Sequence, residues 1–202
     1  MAGKPLELDT EVLLPEQVVP DAYTGRWWVA HTKSRNEKAL ARDLSRHGIT
    51  NYLPLRRKIT RSPRTGRRTV STVPVFTGYL FFTGNEQQRY QVLATNRVAK
   101  TLFVPNQPQL VTQLRHIHQV LTSNMEFEHL MGVRVGRWVR VVAGALAGVE
   151  GCVVQKLGKT RLAVSVDFLG QSVLVEVDAE LLEPIDGPTS PEAGRASPMH
   201  RR

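Results

Sequence analysis

The residues best equipped to do chemistry in this 202-residue chain are its arginines and lysines, and that chemistry is charge pairing with phosphate. Between Arg26 and Val75 stand thirteen Lys and Arg against only Glu37 and Asp43, although the formal charge of the whole chain is +9. The remainder is therefore slightly acidic, and the positive excess is confined to one quarter of the length. Such a concentrated patch is the electrostatic footprint of a nucleic-acid-binding surface. Two groups of cations stand out. Arg35, Lys38, Arg42 and Arg46 recur at helical spacing opposite Leu40 and Leu44, a stripe at ~100° per residue. A charged stripe is commonly just a solvated face, but four cations with no acid among them repel one another, which favours an anionic partner equally. The second group runs from Arg56 to Arg68 and includes Arg61, Arg64, Arg67 and Arg68.

No comparable set serves catalysis or metal binding. His116 and His118 lie two apart on an expected helix, so they point ~200° from each other and cannot share a metal. Cys152, in Gly151-Cys152-Val153-Val154, reads as a small core thiol; a single cysteine excludes an intramolecular disulfide and fits a reducing compartment. Zinc-type Cys–His spacing and a Gly-rich phosphate loop are both missing from the sequence. We therefore expect no enzyme activity, no metal and no cofactor. No apolar run approaches the ~18 residues that cross a bilayer. The first 25 residues lack the basic start and apolar centre of a signal peptide. The expected location is cytoplasmic, without membrane association.

The elements that must position these cations can be read from pattern. Arg26 to Thr32 predicts a first strand. Ser34-Arg35-Asn36-Glu37 has the form of a capping box, opening a helix that ends near His47 with Gly48 as left-handed terminator. Ile49 to Leu55 predicts a second strand, and Arg56 to Thr72 a hairpin whose tip is Ser62-Pro63-Arg64-Thr65-Gly66. Pro74 to Thr83 is the densest aromatic run and reads as one central strand. Its alternation would set Phe76, Leu80 and Phe82 on one face, and Tyr79 and Phe81 on the other. Asn85 caps a short helix over Glu86 to Ala94, and Val98 to Val104 is a further strand. Pro108 to Ser123 is a helix with an apolar stripe at Leu110, Leu114, Ile117 and Leu121.

Beyond that helix the texture changes. Residues 124–131 are polar and acidic, and read as a linker. Short valine-rich runs with glycines follow, with Leu162, Val164, Val166 and Phe168 sharing one parity and Val173, Val175 and Val177 another such set. They predict a small β-barrel. The resulting division is a flexible leader (1–25), an α+β domain (26–123), a linker (124–131), an all-β domain (132–186) and a disordered tail (187–202).

Several stretches resemble one family. Gly136 to Val154 looks like a KOW motif, and residues 132–185 resemble the C-terminal KOW domain of the NusG family of transcription elongation factors. Trp27-Trp28-Val29 and Pro74-Val75-Phe76-Thr77-Gly78-Tyr79-Leu80-Phe81 are similar to the first strand and the aromatic strand of its N-terminal (NGN) domain. The basic hairpin and Arg67-Arg68-Thr69-Val70 resemble the specialised RfaH-like paralogues more than the housekeeping members. The resemblance implies an antiparallel NGN sheet with flanking helices, then an SH3/Tudor-like KOW barrel. It implies a transcription elongation, antitermination or termination factor whose NGN domain binds the clamp helices of RNA polymerase through Trp27, His31, Tyr79, Leu80 and Phe81. Lys33, Arg35, Lys38 and Arg42 would face DNA of the transcription bubble, with Arg61, Arg64, Arg67 and Arg68 beside it. Phe168, Leu169, Gly170 and Gln171 fall at the partner loop of the KOW domain, where Rho or a ribosomal protein would bind a monomeric factor. The alternative is a ribosome-associated RNA-binding protein with a KOW-type barrel. The abundance of valine and glycine between Val133 and Val177 further predicts a permanent β-structure there rather than a helical hairpin.

Overall fold

The computed structural model describes residues 25–123, 125–131, 136–156 and 159–189, in two compact units that divide between Phe103 and Val104. The leader expected over 1–25, apart from Gly25, and most of the expected tail lie outside the described residues.

In the first unit the strands are β1 (Arg26–Thr32), β2 (Asn51–Tyr52), β3 (Leu55–Arg61), β4 (Arg68–Pro74), β5 (Tyr79–Gly84) and β6 (Val98–Phe103). The helices are α1 (Glu37–Arg46) and α2 (Glu86–Ala94). Four strands form an antiparallel sheet in the order β2-β5-β1-β6. One face carries Trp28, Ala30, Leu80 and Phe82, which pack with Leu40, Ala41 and Leu44 of α1 and Val92 of α2. Leu40 and Leu44 are the two leucines read opposite the cationic stripe, turned inward because burying them removes apolar surface from water.

Two local expectations change. The helix does not open on a Ser34–Glu37 capping box: Asn36 is the N-cap and makes no side-chain cap bond, while Arg35 has φ +59°. Glu37 is buried and accepts the backbone N–H of Gly78 at 2.8 Å. The aromatic run is not one strand either. A turn over residues 75–78, with Gly78 at φ +84°, separates β4 from β5. The break resets the alternation, so Phe76 meets Phe81 edge-on at 6.3 Å and does not join Leu80 and Phe82.

Strands β3 and β4 form a separate two-stranded ribbon, in register from Leu55–Pro74 to Arg61–Arg68. Gly66, at φ +66°, turns its tip, where Ser62 N–H bonds to the Arg67 carbonyl at 2.9 Å.

The second unit contains α3 (Gln107–Thr122), β7 (Phe127–Met131), β8 (Trp138–Val141), β9 (Glu150–Lys156), β10 (Lys159–Val166), β11 (Gln171–Glu176) and β12 (Leu182–Pro184). The strands form one antiparallel sheet, β12-β8-β9-β10-β11-β7. Leu162, Val164, Val173 and Val175 are buried on one face. The opposite face buries Cys152, Ala163 and Leu174, with Trp138 and Val154 against them. Helix α3 packs against β10 and buries Leu110, Leu114, Ile117 and, in place of the expected Leu121, Val120.

Residues 127–131, read as linker, pair along β11 from Phe127–Val175 to Met131–Gln171. Their polar look is that of a strand whose Glu128 reaches Arg161 at 2.6 Å, and their pairing covers an otherwise open edge of β11. Helix α3, read as the end of the first domain, groups with the β-unit.

Candidate nucleic-acid and docking surfaces

The basic surface of the first unit is built where β1 ends and α1 begins. Lys33 follows the last residue of β1, and its ammonium donates to Asn96 Oδ1 at 2.6 Å. Its N–H donates to the Arg97 carbonyl at 2.8 Å. Arg97 in turn holds Asp43 at 2.5 Å and Asn36 at 3.1 Å. The sequence signal for Asn96 and Arg97 is the Thr95-Asn96-Arg97 turn after α2, in which Asn96 has φ +59°.

The cationic stripe is narrower than its spacing predicts. Arg35 lies before the helix, and Arg46 approaches Asp43 at 3.6 Å. Arg35 and Arg42 are exposed and Lys38 is half-buried. Arg61, Arg64, Arg67 and Arg68 are all exposed at the outer end of the β3–β4 ribbon. The ribbon also exposes the cross-strand apolar pair Ile59 and Val70.

The five residues expected to dock a protein partner do not form one exposed patch. His31 and Tyr79 are opposite each other in the β1–β5 register, half-buried, and their rings stack at 5.2 Å with 26° between planes. Trp27 and Phe81 are fully buried, and Phe81 also faces Tyr52 at 6.3 Å. Leu80 is on the opposite side, in the core beneath α1 and α2, because alternate residues of a strand point to opposite faces. Burial pushes the Tyr52 hydroxyl well above the ordinary tyrosine range.

In the second unit, the expected partner loop is a 3₁₀ turn over Asp167–Leu169, closed by Gly170 at φ +61°. Phe168 is exposed, while Gln171 is the first residue of β11 and is buried, so it is not part of the loop surface. The residue that anchors this turn is Asp167. Its carboxylate accepts from Gln109 at 3.0 Å and Gln113 at 2.7 Å on α3, and its N–H donates to Gln113 Oε1 at 3.2 Å.

Beside α3 is a cavity of about 210 Å3, lined in part by Gln113, His116, Trp138, Glu150 and Ser165. Glu150 is buried, yet its carboxylate takes the Thr189 N–H at 2.8 Å, the Thr189 hydroxyl at 2.7 Å and the Arg140 guanidinium at 2.8 Å. Burial alone would raise its pKa; the Thr189 and Arg140 bonds outweigh burial and lower it. Burial lowers the His116 and His118 pKa values and raises that of the Cys152 thiol. With four donated bonds, Glu150 works as a structural acceptor in this arrangement. Among the described residues no three His, Cys, Asp or Glu are grouped to hold a metal. No helix among them is long and apolar enough to cross a membrane.

Residues 25–120 match the family model described as "Transcription termination factor nusG". The match covers the whole first unit as described, together with most of α3. No curated protein matches the chain at a significant level.

Proposed function

We propose that this protein is a non-catalytic transcription factor of the NusG type, which binds RNA polymerase through its N-terminal unit and lays its basic surface along DNA. The observation that carries this reading is the family match over residues 25–120. The polarity of the unit supports it. The stacked His31–Tyr79 pair sits at the end of β1 nearest Lys33, so an aromatic contact and a cationic contact adjoin. The aromatic pair is the docking anchor on the polymerase clamp, with Trp27 and Phe81 supporting it from within. Lys33, Lys38, Arg42 and the ribbon tip at Arg61–Arg68 supply phosphate contacts, which give affinity and salt dependence with little base readout. The β-unit, through Phe168 and Leu169, presents the second surface, for a KOW-type partner such as Rho or a ribosomal protein.

The test is capture of RNA polymerase from lysate by the full-length chain. A His31→Ala/Tyr79→Ala variant should bind about thirtyfold more weakly, the effect of losing an interface anchor worth about 2 kcal/mol. Recovery of ribosomes instead of polymerase, unchanged by that variant, would replace this reading with a ribosome-associated one.

A further inference from the structure

The opposite end of β1 from Lys33 carries a second group of planar side chains, outside both the basic stripe and the His31–Tyr79 pair. The Arg26 guanidinium lies 4.8 Å from the Phe103 ring centroid and 5.9 Å from that of Trp28. The Arg89 guanidinium lies 5.3 Å from Trp28 and 4.7 Å from Tyr90. All four separations are within the ~6 Å range of cation–π contact. The order is Tyr90, Arg89, Trp28, Arg26, Phe103, with each cation between two aromatic rings.

The fold fixes this order. Trp28 and Phe103 are partners across β1 and β6, and Arg26 shares their face two residues earlier. Trp28 is pinned by its indole N–H to the Gly84 carbonyl at 3.1 Å. Arg89 comes in from α2, tied to Thr101 at 3.1 Å and Glu86 at 2.7 Å. The inner ring is buried, whereas the end rings are open: Tyr90 is 62% and Phe103 52% exposed. Among the described residues no carboxylate pairs with Arg26.

We propose that this ladder is a stacking platform for single-stranded nucleic acid. The two exposed rings are each backed by a guanidinium group, that of Arg89 held by Glu86 and Thr101 and that of Arg26 exposed. That combination suits a flat, electron-rich partner carrying negative charge: an unpaired base against Phe103 or Tyr90, with its phosphate toward Arg26. A duplex keeps its base faces stacked internally and cannot use the rings. Arginine and aromatic side chains also gather at protein interfaces, so a protein partner is the outcome that the experiment must separate from nucleic acid. The site stands about one strand length, ~20 Å, from Lys33, so it engages a different segment of nucleic acid from the basic stripe.

The experiment measures binding of the full-length chain to fluorescent oligo-dT and to a duplex of equal length, over a series of salt concentrations. Both Tyr90→Leu and Phe103→Leu remove an exposed ring and leave the core intact, and their folding is checked by thermal denaturation. The double variant should bind oligo-dT at least tenfold more weakly at fixed salt with an unchanged salt slope, and bind duplex within twofold of the parent. Arg26→Gln, which keeps the rings, should reduce the log–log salt slope for oligo-dT by about 0.7, one phosphate contact on a single strand. Oligo-dT affinity unchanged in the double variant would overturn the proposal, as would an equal loss for duplex. Loss of polymerase binding with oligo-dT affinity intact would overturn it too, and would assign the rings to a protein contact. The polymerase-capture result with His31→Ala/Tyr79→Ala is independent of all these outcomes.

Discussion

The carboxylate of Glu37 accepts the backbone N–H of Gly78, forty-one residues away, at 2.8 Å. The Gly78 carbonyl in turn accepts from Thr32 N–H at 2.8 Å. The start of α1, the end of β1 and the turn before β5 are thus tied at one residue. A Cβ at Gly78 would approach the His31 ring at 3.6 Å, so the same turn also sets the place of the His31–Tyr79 stack. Removing the acceptor leaves a partly buried N–H unpaired, at a cost of about 1–3 kcal/mol. Glu37→Ala should therefore lower stability by about 2 kcal/mol in urea denaturation. Glu37→Gln, whose amide oxygen still accepts, should lose less; equal losses would mean that packing rather than the bond is at stake.

Gly151 should tolerate no side chain. A Cβ there would fall inside the contact distance of the Ala163 carbonyl oxygen, on the strand paired with it. Backbone cannot yield as a side-chain tip can, so Gly151→Ala should destabilise by about 3 kcal/mol or more, at the upper end of overpacking costs. Gly144 is the control. Its Cβ would meet open space, and only its φ of +81° opposes a side chain, so Gly144→Ala should cost about 1–2 kcal/mol. Thermal melts of the two variants should rank them in that order.

Acid should weaken the protein in two steps. His116 and His118 have folded pKa values below the ordinary 6.5, because burial disfavours the charged ring. The unfolded chain then binds more protons, so this contribution is complete above about pH 6.5 and is lost as pH falls toward the folded values. Glu150, lowered below its ordinary 4.5, adds a second loss beneath that value. A His116→Gln/His118→Gln variant should show a flatter stability profile between pH 7 and 5 and keep the later loss. Denaturant midpoints measured across pH would show it.

The basic stripe and the ribbon differ in how exposed their charges are, but both should be read in salt dependence. Neutralising Lys33, Lys38 and Arg42 together should flatten the log–log salt slope for duplex DNA by up to ~2.7, at ~0.9 per phosphate contact. An unaltered slope in a filter-binding or anisotropy titration would show that these cations are only solvated.

Features governed by nearest neighbours were legible in the sequence. Gly48 ends α1 with φ +67°, Gly66 turns the ribbon, and Asn85 caps α2 in a reciprocal bond with Gln88. Each needs only a few residues of context. The β-character of the second unit was legible as well, because alternating valines and strand-breaking glycines act locally. What failed depended on distant chain. Glu37 had a local capping role to play, but a partner brought in by the sheet took it. Trp27 and Phe81 look like interface anchors by type, yet burial is a property of the packed unit. The Phe127–Met131 segment carries too few apolar residues to announce itself, and becomes a strand because β11 offers it hydrogen bonds. Arg26 and Arg89 are not legible as a pair, because sixty-three positions separate residues that one indole ring brings together.

The β3–β4 ribbon has a geometric property that bears on how such a chain could change its reach. Among the described residues it is anchored at its base, where Val75 N–H bonds to the Pro54 carbonyl at 2.8 Å and Leu55 packs against the core. Its length is therefore a free variable. Adding two residues to each strand would carry the arginine tip outward by about 6.6 Å and leave every side chain on its original side. Adding one to each would advance the tip half as far and invert everything beyond the insertion. Length changes in multiples of two are thus neutral for facing, so the ribbon behaves as a ruler graduated in steps of one pleat.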